Sequence, residues 1–367
     1  MVHFIVGTRA QLIKIAPVML QFKKAGAPYN FIFLAQHKET MIEMAADFGL
    51  MKPDVTIGDI NSEISHPKLM AKWLLLLVSQ LLSRGKTAFR GDRNGIVVVH
   101  GDALPALLGA FWAKLNGLRV AHVEAGLRSF DFLNPFPEEL IRVALWQLNL
   151  ADICFCPNEW AMKNLSRYSM RKVNTQHNTL LDSLRTATAA AVPSPGNAAR
   201  SPLPRPYGLV SLHRAETLMS KSALNAAVSA ITTVSARIPL VFVLHPSTRK
   251  SLEAKEILPR LVSNPNFIIC PRMNYFAFIQ LLRNSEFLIT DGGSNQEECY
   301  YLGHPCLLLR ATTERVEGLG LNSCISGFRE ESILSFVEHY TDYRTPPLEP
   351  AISPSAIVFQ YLREFVH

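Results

Sequence analysis

Hydrophobic and polar positions change period repeatedly along this chain. Short β-branched or aromatic runs, near-continuous in apolar residues, alternate with longer stretches whose apolar positions recur every three or four residues. Buried parallel strands read as unbroken apolar runs, and a crossover helix between strands reads as an amphipathic stretch, so the pattern predicts repeated βα units. In the first half the strand candidates are His3 to Gly7, Asn30 to Leu34, Gly95 to His100, Arg119 to Glu124 and Asp152 to Cys156. A stretch rich in Ala, Pro, Ser and Gly then loses periodicity from Thr186 to Pro206 and predicts a linker. The alternation resumes with Gly208 to Leu212, Leu240 to Leu244, Phe267 to Ile269, Phe287 to Thr290 and Cys306 to Leu309. The expected organisation is an α/β protein of two Rossmann-like, doubly wound domains facing a central cleft. Their ranges are residues 1–185 and 207–345, with a linker at 186–206. The segment 346–367, apolar at helical spacing from Ser355, is expected to pack back on the first domain.

Composition narrows the class. The 367 residues are 48% hydrophobic and only 18% charged, enough apolar surface for two cores and too much for a disordered chain. The apolar run near Trp73 is far shorter than a bilayer span, and the N-terminus enters a strand without a signal-peptide pattern, so a cytoplasmic location is expected. The six cysteines form no CxxC pair and read as buried reduced thiols. A net charge of +7 is compatible with nucleic acid, an anionic membrane surface or a phosphorylated small molecule.

In doubly wound sheets ligands meet the loops after the strands, so polar residues there are the ones to examine. Gly7, Thr8 and Arg9 follow the first strand, with a helix beginning near Gln11 and Lys14 one turn in, an arrangement that suits a diphosphate. Ordinary turn chemistry explains the same glycine. No GxGxxG opens that helix, which disfavours a bound nicotinamide. Asp102 and Glu124 each follow a strand and should emerge at one sheet edge. Glu138 and Glu139 come next, after Pro137, where either carboxylate can be the first-turn charge of a helix. Converging acids raise one another's pKa and suit proton transfer; a full ligand set for a metal is not evident.

In the second half His213, Arg214 and Glu216 follow one strand, and His245 holds the corresponding place after the next. The run Thr290 to Glu298 forms a strand–glycine–helix junction. There Gly292, Gly293 and Ser294 offer amides to a phosphate, and Glu297 or Glu298 can accept from ribose hydroxyls. The bland alternative makes Ser294 the helix N-cap, with Glu297 completing a capping box.

The ordered set GTRAQLIK, AQH, HGD, HVEAGLRSFD, NPFPEELIR, HNTLLD, LHRAE, TDGGSNQEE and ATTERVEG resembles the UDP-N-acetylglucosamine 2-epimerase family in its non-hydrolysing bacterial branch. The resemblance runs from about residue 3 to residue 320. It implies the GT-B architecture, a UDP-sugar substrate rather than nucleic acid, no cofactor or metal, and a homodimer. It places the acid/base carboxylates on Asp102, Glu124 and Glu138 and the histidine near the diphosphate on His213. Arg9, Lys14, Arg128 and Arg142 match the family's cationic groups, Glu298 its ribose glutamate, and Phe278 the residue that packs on uracil. Gln36 and His37 match part of an allosteric second site. The chain departs from the family where GTRPE becomes Gly7 to Gln11, where a threonine run gives way to Ala103-Leu104-Pro105, and where DSGGIQEE becomes Asp291 to Glu298. The C-terminal NPYGDG is missing.

The implied reaction is epimerisation at carbon 2 of UDP-N-acetylglucosamine by loss and re-addition of UDP. Two competing readings share the same residues. A hydrolysing epimerase would release the sugar, and a GT-B glycosyltransferase would pass it to an acceptor. The latter could associate weakly with a membrane through the basic balance and the Trp73 to Leu82 segment.

Overall fold

The computed structural model describes residues 1–34, 38–58, 67–130, 138–190, 203 and 205–366. The chain divides into two compact units, Met1–Thr186 with Ala351–His367, and Ala187–Pro350.

The first unit runs β1 (Val2–Val6), α1 (Arg9–Lys24), β2 (Tyr29–Leu34), α2 (Lys38–Asp47), β3 (Val55–Ile57), α3 (Pro67–Ala88), β4 (Ile96–His100) and α4 (Leu104–Leu115). It continues with β5 (Arg119–Val123), α5 (Glu138–Gln147), β6 (Ile153–Cys156), α6 (Glu159–Asn164), β7 (Arg171–Asn174) and α7 (Leu180–Ala189). Its strands form one sheet in the order β3-β2-β1-β4-β5-β6-β7, each neighbouring pair parallel. Every residue of β1, β4 and β6 is buried, which is why these strands read as apolar runs.

The second unit runs β8 (Gly208–Ser211), α8 (Ala215–Met219), α9 (Lys221–Ser235), β9 (Leu240–Leu244), α10 (Pro246–Ala254), α11 (Leu258–Ser263) and β10 (Phe267–Pro271). After these come α12 (Tyr275–Arg283), β11 (Leu288–Thr290), α13 (Gly293–Leu302), β12 (Cys306–Leu308), β13 (Ser323–Ile325) and α14 (Glu330–Glu338). The order β10-β9-β8-β11-β12-β13 is again wholly parallel. Sequence patterning missed three strands, β3, β7 and β13. All three are sheet edges of three or four residues, and β3 and β7 are partly exposed, so they lack the apolar run that marks an interior strand.

The start of the expected linker is helical, because α7 continues through Thr186 to Ala189. Residues 191–202 lie outside the described part. The terminal helix α15 (Pro354–Leu362) belongs to the first unit. It lies on α1 with the Phe22 and Phe359 rings edge to face at 4.8 Å, a contact worth roughly 0.5–1.5 kcal/mol beyond the area it buries. Ser353 caps it and, with the Ser355 amide, donates to Asp182 of α7 at 2.8 and 2.9 Å. Among the described residues no helix is long and apolar enough to cross a membrane.

Candidate active site

Each sheet has one point where the strand order reverses, between β1 and β4 in the first unit and between β8 and β11 in the second. Crossovers leave such a point in opposite directions, opening a crevice at the carboxyl ends of its two strands. Arg9 follows β1 and Asp102 follows β4, while Glu124 follows the adjacent β5, so three predicted residues reach one edge of the first sheet.

The turn after β1 is self-contained. Thr8 caps α1, its hydroxyl accepting from the Gln11 amide at 3.2 Å, and Gln11 Oε1 accepts from the Gly7 and Thr8 amides at 3.0 and 3.1 Å. Those amides are thereby committed to the protein, and the anion-binding part of the expectation for this turn rests on the Arg9 side chain. The helix also begins at Arg9, two residues before the position read from the sequence. Gln11 Nε2 donates to the His100 carbonyl at 2.8 Å. A glutamate, the family residue here, has no such donor, so the change to glutamine ties α1 to the end of β4.

Glu124 sits in the left-handed region at φ +63, uncommon for a side chain of its size. Gly126 follows at φ +89, where an added Cβ would lie 2.2 Å from the Ala161 carbonyl oxygen, so only glycine fits this bend. The bend delivers the Glu124 carboxylate into a buried set of partners. Lys14 Nζ donates to its Oε2 at 2.5 Å and Asn178 Nδ2 at 2.6 Å, with His100 Nε2 at 3.5 Å. The Asn178 orientation is dictated, because its oxygen accepts the Leu180 amide at the start of α7. Lys14 is therefore the buried counter-ion of Glu124. Burial pushes the His100 pKa down to about 3 and that of His122 to about 4, leaving both rings neutral near pH 7. His122 accepts from Trp146 at Nδ1, so its Nε2 donates to the Gly101 carbonyl at 2.9 Å.

Asp102 belongs to a chain of alternating charges. Arg142 of α5 bonds the Asp102 carboxylate through Nη2 and Glu139 through Nη1 at 3.3 Å, and Arg128 Nε bonds Glu139 from the other side. Ser129 adds its amide and hydroxyl to Glu139 at 3.2 and 3.3 Å. Of the two acids left open by the sequence, Glu139 is thus the buried one held between arginines, and Glu138 is the half-buried one at the first position of α5. Pro137, Gln36 and His37 lie outside the described residues.

In the second unit, Asp291 is wholly buried after β11 and ties the two strand ends together. Its oxygens accept the His213 and Arg214 amides at 2.9 and 3.0 Å. His213 stacks on His245 with ring centroids 4.8 Å apart, so the matching positions after β8 and β9 do meet. Surrounding protein lowers the His213 pKa against the pull of Asp291, although 37% of its side chain stays accessible. A Cβ on Gly292 would come within 2.7 Å of that ring and one on Gly293 within 2.7 Å of Glu314 Oε1.

The capping-box alternative fails at this junction. Gly292 is the N-cap of α13 and Ser294 lies inside the helix, while Glu297 turns inward to Arg315 Nη1 at 2.7 Å. Arg214 is clasped by Glu216 at 2.7 and 2.9 Å and reaches Glu314 at 3.3 Å. Glu298 accepts from Asn295 Nδ2 at 2.8 Å, and Phe278 lies half-buried on α12, the helix that starts with Tyr275.

Sequence reasoning passed over His100, His122, Asn178, Asn295 and Tyr275. The first four stand inside motifs already singled out, HGD, HVE, HNTLLD and TDGGSNQEE, but the contacts of the first three cross from one strand end to another. A linear motif does not show which neighbour it faces.

Comparison with known proteins agrees with this fold. The model of the family described as UDP-N-acetylglucosamine 2-epimerase matches residues 22–350. A UDP-N-acetylglucosamine 2-epimerase of Methanococcus maripaludis is 32% identical over 92% of this chain and 90% of its own length. One of Methanocaldococcus jannaschii is 31% identical over 91% and 90%. The crystal structure of a Methanocaldococcus jannaschii UDP-GlcNAc 2-epimerase in complex with UDP-GlcNAc and UDP superposes with a TM-score of 0.80 at 27% identity, covering 98% of this chain and 99% of that one. Two parallel α/β domains of the GT-B kind, strand-end carboxylates and a match across most of the chain lead to one conclusion: this chain belongs to the UDP-N-acetylglucosamine 2-epimerase family.

Proposed function

We propose that the protein interconverts UDP-N-acetylglucosamine and UDP-N-acetylmannosamine by elimination and re-addition of UDP. The observation that carries this reading is the delivery of Asp102 and Glu124 to one sheet edge, the second on a strained backbone within a buried hydrogen-bonded set. Carbon 2 of the sugar has no adjacent carbonyl, so its proton is not acidic enough for simple enolisation. In the elimination a base takes the carbon 2 proton. The carbon 1–oxygen bond breaks, and its electron pair leaves with the β-phosphate of UDP. The 2-acetamidoglucal that remains is protonated at carbon 2 from the other face while a UDP oxygen re-forms the bond to carbon 1.

Two proton-transfer groups on opposite faces are required. Asp102 and Glu138 are assigned that work, and Glu124, with Lys14 and Asn178 fixing its charge and direction, holds the sugar and tunes the pair. Arg128 and Arg142 act through Glu139 and Asp102, setting their positions. In the second unit His213, with His245 stacked behind it, Arg214 and the Gly292 to Ser294 turn hold the diphosphate. Developing negative charge on departing UDP needs such oriented donors, and Arg9 is assigned as a substrate-binding cation at the carboxyl edge of the first sheet. Glu298 accepts from the ribose hydroxyls and Phe278 packs on the base.

The reaction has its own isotopic signature. In heavy water, with UDP-N-acetylglucosamine and no acceptor, product and recovered substrate should carry deuterium at carbon 2 and the product should remain nucleotide-linked. Retention of the original hydrogen would point instead to chemistry at carbon 1 alone.

The protein is further proposed to work as a homodimer. Leu104, Phe111 and Leu115 lie on one stripe of α4 at 38%, 40% and 69% exposure, and the helices packed on α4 carry exposed Leu75 (α3, 73%) and Leu140 (α5, 51%). Exposed apolar side chains in line on one helix are the kind of surface a second copy covers. Sedimentation should give the mass of two chains, reduced to one in Phe111→Asp/Leu115→Asp; a wild-type monomer would remove the dimer.

A further inference from the structure

We infer that Asn295 is the positioning residue for the ribose-binding carboxylate, holding Glu298 in the orientation that receives the sugar hydroxyls of the nucleotide. The inference rests on the reading of Glu298 given above. The two residues are three apart on α13 and so share a face of the helix. An ionised carboxylate only accepts hydrogen bonds, so it selects the amide end of the asparagine, and Asn295 Nδ2 donates to Glu298 Oε2 at 2.8 Å. The asparagine oxygen is thereby turned toward Thr290, whose hydroxyl lies 3.1 Å away.

Thr290 is itself fixed. Its Oγ1 lies 2.8 Å from the Ser211 carbonyl oxygen of β8 and accepts the Gly292 amide at 3.0 Å. The single Thr290 hydroxyl proton serves either the Ser211 carbonyl or Asn295 Oδ1, both within reach, so Asn295 packs against the strand-end turn while its amide group holds Glu298. Glu298 also neighbours the buried Tyr275, whose hydroxyl pKa is raised first by burial and then by the Glu298 charge. Tyr275 and Phe278 lie one turn apart on α12, so the same carboxylate is adjacent to the helix that carries the base-packing ring.

The isoleucine that the family pattern carries at this place can supply neither bond. With asparagine the carboxylate is already ordered before the nucleotide arrives, and less rotamer freedom is lost on binding.

The test is calorimetric binding of UDP and of 2′,3′-dideoxy-UDP to wild type, Asn295→Ile, Asn295→Asp and Glu298→Gln. Wild type should prefer UDP. Both Asn295 variants should lose about tenfold of that preference, the effect expected of one hydrogen bond to a charged group, while affinity for the dideoxy ligand stays within about twofold. Asn295→Asp keeps the side-chain volume but replaces the donor with a carboxylate that repels Glu298 instead of holding it, so it decides the matter if Asn295→Ile does not fold. Equal weakening of both ligands, or unchanged preference in Asn295→Asp while Glu298→Gln loses it, would overturn the positioning role and leave the ribose reading intact. Unchanged preference in Glu298→Gln would overturn the ribose reading and this inference with it.

Discussion

Asp102→Asn should lower epimerisation by at least about 100-fold and suppress deuterium entry at carbon 2 to the same extent, with UDP affinity near that of wild type. The amide has the shape of the carboxylate but neither takes nor returns a proton at neutral pH. Its oxygen can still accept from Arg142 Nη2, and Arg142 keeps its bond to Glu139, so the α5 contact survives the change. Binding of UDP, assigned to groups of the second unit, is the internal control. Loss of UDP affinity in step with turnover would mean that Asp102 shapes the fold rather than moves the proton, and near-normal turnover would remove it from the catalytic set.

The second large effect is on stability. Lys14→Met should destabilise the protein by about 3–5 kcal/mol, because it leaves the Glu124 carboxylate without its counter-ion inside protein. Both side chains of this pair are only 5% exposed, so water does not replace the lost partner. The methionine fills the lysine stem's volume, which confines the change to charge. Glu124→Gln should be costly for the mirror-image reason, and the double variant should recover much of the loss, since neither charge is then stranded. Urea unfolding of the four proteins gives the coupling directly. Additive single effects would show that the ion pair contributes nothing beyond its packing, and a Lys14→Met variant as stable as wild type would contradict the burial of the pair.

Some of this site is legible without coordinates because its residues stand where strands end. Apolar runs such as Ile96–His100 and Leu240–Leu244 locate interior strands, and in a parallel sheet the residue after a strand necessarily lies at the carboxyl edge. Asp102, Glu124, His213 and Gly292 are found in that way. Glu138 and Glu139 were not separable, because adjacent residues in a first helical turn have the same local chemistry. Only the arrival of Arg128 and Arg142 distinguishes them. The partner of Lys14 is hidden in the sequence for a related reason. A lysine one turn into a helix after a glycine looks like an anion ligand, but it faces Glu124, which is 110 residues away in sequence.

The sequence by itself determined the βα alternation, the two-domain organisation, the family and most of the polar residues at strand ends, because those follow from local periodicity and from motifs short enough to survive divergence. Tertiary structure decided which edges close the sheets, since β3, β7 and β13 are too short and too exposed to carry a hydrophobic signature. It also decided charge pairing. Lys14 with Glu124, Arg142 with Asp102 and Arg128 with Glu139 are set by which side chains the packed elements bring together. Electrostatic and hydrogen-bond energies depend on those separations and on burial, and neither is a property of position along the chain.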